Sequence, residues 1–283
     1  MKNALAVRGA TLAYDRRIVS AGLEVELPEG AVTAIVGPNA CGKSTLLRAL
    51  SRLLTPSTGE VLVDGVVAGD LHRRVFAQRV GLLPQAPSAP MDVTVEELVA
   101  AGRSPYQRWY RQWSAEDEAS VEAALLATNT DGLRDRPVDA LSGGQRQRVW
   151  LAMALARRTP VMLLDEPTTY LDIAHQVEVL DLVRQLNRRE RSTVVMVLHD
   201  LSQACRYADH VVVMKDGGVV ATGHPSDVIT QDLVRSVFGV EASVVVDQAT
   251  GRPLVFPRGT VIPRSAHDAA RTTARAPAET VAG

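Results

Sequence analysis

The sequence predicts an α/β protein built on a mostly parallel β-sheet, and three observations support this fold class. Short apolar runs alternate with longer segments of helical periodicity, as in a parallel sheet covered by helices. The runs 161–164 and 194–198 are apolar throughout, which indicates central strands buried on both faces. A glycine-rich loop, 37–44, directly follows a third run and precedes a helical pattern.

The elements follow in order along the chain. Predicted strands cover 5–7, 19–27, 32–36, 60–63, 80–83, 160–164, 193–198, 210–215 and 218–222, and a hairpin turn lies at 216–218. Between about 86 and 159 strand patterns vanish, and helices are predicted over 96–102, 114–127 and 142–158. Residues 241–263 predict a small hairpin. We therefore expect an α/β core over 1–86 and 160–263, an inserted α-helical subdomain over 87–159, and a disordered tail over 264–283.

Composition narrows the class of protein. The chain has 283 residues, a formal net charge of −1, 46% hydrophobic and 22% charged residues, all ordinary for a globular protein. This charge gives no general attraction for nucleic acid. No apolar run approaches the length of a membrane-spanning helix, and the N-terminus lacks the apolar core of a signal peptide. Two cysteines without metal-ligand spacing indicate a reducing cytoplasm.

The glycine-rich loop, Gly37 to Ser44, fits the pattern G-x-x-x-x-G-K-[ST] of a phosphate-binding loop. Its backbone N–H groups, with Gly37, Asn39 and Gly42, are suited to wrap a phosphate at a helix N-terminus. Lys43 would reach the β- and γ-phosphates, and Ser44 would place its hydroxyl on Mg²⁺. The pattern predicts an ATP site, whereas the bland alternative is a glycine-rich turn.

Two carboxylates, Asp165 and Glu166, end the apolar run 161–164. Ligands of open α/β sheets bind at the carboxyl ends of the strands. Asp165 therefore suits the Mg²⁺ shell, and Glu166 could take a proton from the attacking water. An acidic strand end that merely meets solvent is the alternative.

A second anion-binding helix start is indicated by Ser142, Gly143, Gly144 and Gln145, which follow Leu141 about 100 residues after the phosphate loop. The run L-S-G-G-Q resembles the signature of the ATP-binding cassette (ABC) family, and the resemblance covers about residues 3 to 240. It implies a P-loop NTPase (RecA-like) core with an inserted α-helical subdomain and a small antiparallel β part.

The resemblance also implies roles for single residues, each with an ordinary structural alternative when taken alone. Tyr14 is similar to the aromatic that stacks on adenine, and Thr45 to the residue that helps hold the α-phosphate. Gln85 resembles the glutamine that contacts Mg²⁺ and the reacting water. Asp172 resembles the D-loop aspartate and His199 the histidine that contacts the γ-phosphate. Two positions depart from the family pattern, since Ala40 replaces a frequent glycine and Tyr170 a frequent alanine.

By resemblance, two copies pair head to tail, so that Ser142 and Gly144 of one copy cap the γ-phosphate held by Lys43 of the other. One phosphate loop and one signature make the chain a single cassette. It would lie peripherally on the cytoplasmic side of the cell membrane, bound to a polytopic permease through 91–98 and 102–107. An extracytoplasmic solute-binding protein would be an indirect partner.

The runs 102–106, 145–154 and 166–176 resemble the importer subgroup for ferric siderophores, haem and vitamin B12. We expect an ATPase for siderophore import. The alternatives are a haem or vitamin B12 importer, an exporter, or a soluble non-transport ABC ATPase. Proteins of the last class insert long heptad coiled coils, and translation-factor cassettes carry two cassettes in one chain; neither feature occurs here.

Three further features remain open at this stage. The Arg- and Trp-rich run 108–113 favours a protein interface over packing or nucleic-acid stacking. His175 and Gln176, on a predicted helix, favour a solvated or interface role over a metal site. Cys41 is expected to be a reactive thiol with a lowered pKa because it lies near a helix N-terminus, while Cys205 is expected to be inert.

Overall fold

A computed structural model describes residues 2–107, 113–169 and 171–261 of the chain. The predicted tail at 264–283 and most of the Arg- and Trp-rich run lie outside these residues. In the described part, no helix is both long enough and apolar enough to cross a membrane.

The chain begins with a four-stranded antiparallel sheet, ordered β2-β1-β4-β5. Its strands are β1 (Asn3–Tyr14), β2 (Arg17–Pro28), β4 (Thr58–Val63) and β5 (Val66–Val67). The first two strands form a long hairpin whose turn brings Tyr14 opposite Arg17. The hairpin is longer than its apolar pattern predicts. Beyond the continuous apolar runs, buried residues of β1 and β2 alternate with more exposed ones, and this alternation continues both strands.

The central sheet has six strands in the order β10-β9-β3-β8-β7-β6, with β10 alone antiparallel to its neighbour. The strands are β3 (Val32–Val36), β6 (Val80–Leu83), β7 (Val161–Asp165), β8 (Thr193–Val197), β9 (His210–Lys215) and β10 (Gly218–Gly223). All five residues of β7 and of β8 are buried, which confirms the predicted central strands.

Helices cover both faces of this sheet. They are α1 (Lys43–Leu50), α2 (Arg73–Arg79), α6 (Ile173–Glu190) and α7 (Leu201–Tyr207). Alternate residues of one strand enter two separate apolar clusters: Ala34 belongs to one and Ile35 to the other. The parallel arrangement places the ends of β3, β7 and β8 at one edge, where the predicted phosphate loop and carboxylates follow.

Between β6 and β7 the chain is helical, as predicted. The helices are α3 (Val95–Ala101), α4 (Ala115–Ala127) and α5 (Gly143–Ala156). Each begins with a capping box, from Thr94, Ser114 and Ser142 respectively. Their buried faces join the larger of the two apolar clusters.

The chain continues through the short helices α8 (Pro225–Val228) and α9 (Gln231–Leu233) to a two-stranded hairpin of β11 (Val240–Val246) and β12 (Pro253–Thr260). This hairpin confirms the one predicted at 241–263. It packs on α7, where the hydroxyl of Ser202 donates to the Val255 carbonyl and accepts from the Val255 N–H.

Candidate nucleotide site

The phosphate loop joins β3 to α1, and its shape is fixed by the chain's own backbone. A Cβ built on Gly37 would lie 2.2 Å from the Met214 carbonyl oxygen, so only glycine fits there. Ala40 has a φ of 61°, in the left-handed region, which explains why a glycine is frequent at this position. Lys43 is 5% exposed and donates from Nζ to the carbonyls of Gly37 and Pro38 at 2.8 and 2.9 Å.

A cavity of about 450 Å³ opens over this loop. It is lined by Tyr14, Arg17, Ile18, Val19, Asn39, Ala40, Cys41, Gly42, Lys43, Ser44, Thr45, Glu166, His199, Asp216 and Gly217. Tyr14, 39% exposed, lies at the β1 end of the cavity, and its hydroxyl accepts a hydrogen bond from Arg48. The predicted aromatic and the predicted phosphate loop therefore share one cavity.

Asp165 lies beside Ser44, which lines the cavity. The hydroxyl of Ser44 donates to Asp165 Oδ1 at 3.2 Å. Burial raises the pKa of Asp165, and the adjacent Glu166 acts in the same direction, while the Ser44 hydrogen bond and Arg48 lower it. A carboxylate and a hydroxyl at this spacing are the hard oxygen donors that Mg²⁺ prefers, and bound Mg²⁺ would favour the charged carboxylate.

The carboxylate of Glu166 receives three donors from three different segments. Gln85 Nε2 lies 2.5 Å from Oε2, and the Thr169 hydroxyl donates to the same oxygen at 3.1 Å. His199 Nε2 lies 2.5 Å from Oε1. Glu166 has a φ of 52°, in the left-handed region that only a small fraction of non-glycine residues adopt. The arrangement holds a carboxylate beside the phosphate loop, where it can accept a proton from water.

The signature residues form the N-terminus of α5 and do not line this cavity. Gln145 N–H donates to the Ser142 hydroxyl, and Gln145 Oε1 accepts from the Ser142 N–H. Ser142 and Gly143 are exposed. Asp172, which caps α6, also lies outside the cavity lining. One chain thus brings the phosphate loop together with Gln85, Asp165, Glu166 and His199, but keeps the signature outside the cavity.

Several contacts at the site were missed by sequence reasoning. The turn at Asp216 and Gly217 was predicted as a hairpin turn, yet nothing in its pattern indicates that the Gly217 N–H donates to the Cys41 carbonyl and that the turn lines the cavity. Arg17, Arg48 and Thr169 were missed as well. Each lies within four residues of a predicted site residue, since Arg17 follows Tyr14, Arg48 follows Ser44 and Thr169 follows Glu166, but no motif marks any of them.

The lowered pKa expected for the Cys41 thiol is wrong. Cys41 is 6% exposed, and burial raises the pKa of its thiol even though Lys43 and backbone hydrogen bonds lower it. Cys205 is fully buried, which raises its pKa to about 12 and agrees with the inert role expected of it. His175 bonds to Asp172, and in the described residues no cluster of three or more His, Cys, Asp or Glu could hold a metal ion.

Comparison with known proteins gives a consistent result. The pattern of the ABC transporter family matches residues 21–169. The petrobactin import ATP-binding protein FpuD of Bacillus anthracis is 49% identical over 259 residues, covering 92% of this chain and 95% of that protein. The ferric enterobactin transport ATP-binding protein FepC of Escherichia coli is 49% identical over 257 residues, covering 91% and 95%.

Among solved structures, the dimer of the ABC transporter cassette MJ0796 matches with a TM-score of 0.70 and 28% identity, covering 78% of this chain and 98% of that one. Three observations indicate the same family: the family match, the two relatives, and the phosphate loop beside its carboxylates. The chain belongs to the ABC transporter family, as one of its ATP-binding subunits that hydrolyse ATP.

Proposed function

We propose that this chain powers the import of ferric siderophores by hydrolysing ATP. The observation that carries the chemistry is the Glu166 carboxylate, held by Gln85, Thr169 and His199 beside the phosphate loop. The cargo is supported by the names of the two relatives, since petrobactin import and ferric enterobactin transport are the roles printed for them.

In the proposed binding mode, ATP occupies the cavity over the phosphate loop. Adenine stacks on Tyr14, and the phosphates lie in the loop formed by Gly37, Asn39, Gly42, Lys43, Ser44 and Thr45. To bind them, Lys43 exchanges its two backbone carbonyls for phosphate oxygens. Mg²⁺ would be held by Ser44, Asp165 and the amide oxygen of Gln85, and when bound it neutralises charge on the phosphates.

The reaction follows from the position of the carboxylate. The oxygen of a water attacks the γ-phosphorus while Glu166 accepts its proton, and the bond to ADP breaks with its electron pair on the β-phosphate oxygen. His199 is proposed to contact the γ-phosphate and Gln85 to orient the water. Thr169, through its bond to Glu166, holds the carboxylate in place.

The site is completed by a second copy in this proposal. The ATP bound by one copy is faced by five residues of the other: Ser142, Gly143, Gly144, Gln145 and Asp172. The position of these residues outside the cavity of their own chain supports this arrangement. The dimeric MJ0796 cassette supports such pairing. We further propose that residues 91–98 and 102–107 dock on a polytopic permease at the cytoplasmic face of the membrane, and that a solute-binding protein delivers the cargo from the other side.

The test uses Glu166→Gln, which keeps the shape of the side chain but removes the base. We expect ATP binding within about twofold of the parent, hydrolysis at least about a hundredfold slower, and a dimer with ATP and Mg²⁺ by light scattering. Glu26→Gln, the same change at an exposed position of β2, is the matched control and should hydrolyse like the parent. A Glu166→Gln chain that stays monomeric with ATP would contradict the pairing.

The cargo needs a separate experiment. Tagged Glu166→Gln chain is purified with ATP from detergent-solubilised membranes of its own organism, with Lys43→Ala as the control that cannot hold nucleotide. Recovery of a polytopic permease supports transport, and deleting that permease should abolish uptake of the ferric siderophore. Unchanged uptake would contradict the siderophore assignment, and recovery of soluble proteins alone would favour a non-transport ABC ATPase.

A further inference from the structure

The imidazole of His175 lies against Gly144, the second residue of α5. A Cβ built on Gly144 would lie 2.9 Å from His175 Cδ2 and 3.1 Å from Nε2. The ring therefore occupies the space into which a side chain at position 144 would project. This contact joins the first turn of α6 to the first turn of α5, where the signature lies.

The ring is held in that position by Asp172. One carboxylate oxygen of Asp172 lies 2.6 Å from His175 Nδ1 and also accepts from the His175 N–H at 2.9 Å. The same oxygen thus caps α6 and orients the imidazole. Because a hydrogen-bonded ring has fewer accessible rotamers, the surface that it presents to Gly144 is defined.

The turn of α6 that carries His175 is also bound to the segment that follows Glu166. Gln176 Nε2 donates to the Leu171 carbonyl at 3.0 Å, and Gln176 Oε1 accepts from Gln203 Nε2 at 2.7 Å. Gln203 belongs to α7, which begins two residues after His199. His175 therefore lies between the signature loop and the segments that carry the catalytic carboxylate and histidine.

We infer that His175 is a positioning residue: its ring fixes the first turn of α5 relative to the segment after Glu166. The capping box engages Ser142 and Gln145, while the N–H groups of Gly143 and Gly144 lie in the helix's first turn, which provides no internal acceptor. Their direction decides how well they meet an anion. The ring sets this direction, and with it the affinity of one ATP-bound copy for the other, so the inference rests on the proposed pairing.

The experiment is carried out in the full-length Glu166→Gln chain. ATP binding by the single chain is measured at high dilution, and ATP-dependent dimerisation is measured by light scattering over a concentration series. With His175→Ala, we expect ATP affinity within twofold of the parent and dimer affinity at least tenfold weaker. His175→Phe, which keeps a ring over Gly144, should recover most of the dimer affinity. His175→Asn, which keeps a polar group near Asp172 but no ring, should not.

Three outcomes would overturn the inference. Unchanged dimer affinity in His175→Ala would show that the ring positions nothing. Rescue by His175→Asn without rescue by His175→Phe would assign the effect to the Asp172 hydrogen bond alone. An equal loss of single-chain ATP affinity would show general damage to the fold. If the Glu166→Gln parent itself does not pair, the proposed function fails instead, and this result is distinct from the other three.

Discussion

The phosphate loop and the signature loop both present backbone N–H groups at a helix N-terminus, yet the two loops differ in burial. The two ends of the phosphate loop are enclosed, since Gly37 and Lys43 are buried and Lys43 bonds to two carbonyls of its own loop, while Asn39 and Ala40 at its tip are exposed. The signature loop is open, with Ser142 and Gly143 exposed. Contacts within the folded chain therefore fix the phosphate loop, whereas the signature loop faces solvent. Substitutions should therefore separate folding from pairing.

Alanine substitution of one glycine in each loop gives the largest expected contrast. In Gly37→Ala the new Cβ would meet the Met214 carbonyl oxygen at 2.2 Å, and this backbone atom cannot move aside cheaply. We expect a loss of at least about 3 kcal/mol in the free energy of unfolding, measured in urea. In Gly143→Ala nothing lies within 4 Å of the Cβ, so stability should change by less than about 0.5 kcal/mol. Equal effects of the two substitutions would contradict the contrast.

The helices behind the signature loop depend on one buried ion pair. Arg103 follows α3; its Nε lies 2.7 Å from Asp117 Oδ1, and its NH1 donates to the Ala156 carbonyl at the end of α5. Both side chains are almost fully buried. Arg103→Ala leaves the Asp117 carboxylate buried without its partner, so the free energy of unfolding should fall by about 3 to 5 kcal/mol.

The matched control lies in the same helical segment. Arg134 pairs with Glu96 and Glu122 on the surface, where all three side chains are about a third exposed or more. Arg134→Ala should cost no more than about 1 kcal/mol, because solvent already screens exposed pairs. A cost as large as that of Arg103→Ala in urea unfolding would show that burial does not decide the strength of these pairs.

The same buried pair predicts a pH dependence of stability. Burial acts to raise the pKa of Asp117, but the Ser114 hydroxyl and Arg103 outweigh it and hold the pKa below its usual value. A lowered folded-state pKa adds stability above the usual aspartate pKa, and this stability is lost as pH falls through the folded-state value. Asp117→Asn should therefore be less stable than the parent at pH 7, and the difference should shrink between about pH 5 and pH 2.

The check is the urea midpoint measured across that pH range. Asp135→Asn, at an exposed position near the same helices, is the control and should follow the parent curve. A difference between Asp117→Asn and the parent that stays constant with pH would contradict the assigned cause.

The contrast between the two loops also explains which features of the fold and the site could be predicted from the sequence. Local patterns identify β7 and β8 because strands buried on both faces must be apolar throughout. The pattern G-x-x-x-x-G-K-[ST] predicts the phosphate loop. Asp165 and Glu166 are predicted as site residues because they end a buried strand, where ligands of parallel sheets bind. The missed contacts join distant segments, as when the Asp216–Gly217 turn reaches Cys41 or His175 reaches Gly144. The local periodicity of a sequence does not indicate which loop a turn will contact.

The incorrect prediction for Cys41 has the same origin. Sequence shows that the thiol precedes a helix N-terminus, which lowers a pKa. It does not show that the thiol packs against Gly37 and joins the apolar cluster that contains Met214, and this burial raises the pKa of the thiol. Where the local electrostatic effect and the burial effect oppose each other, only the packed structure decides the direction.

Cysteine labelling gives the smallest expected effect and tests whether the phosphate loop is as enclosed as its contacts indicate. With a maleimide under native conditions, Cys41 in a Cys205→Ala chain should react far more slowly than in the same chain unfolded in urea. Cys205 in a Cys41→Ala chain should be slower still, because it is fully buried and its pKa is raised to about 12. Native Cys41 labelling as fast as in the unfolded chain would mean that the loop opens without unfolding. The ordered conformation of the phosphate loop would then depend on bound phosphate and not on the contacts of Gly37 and Lys43.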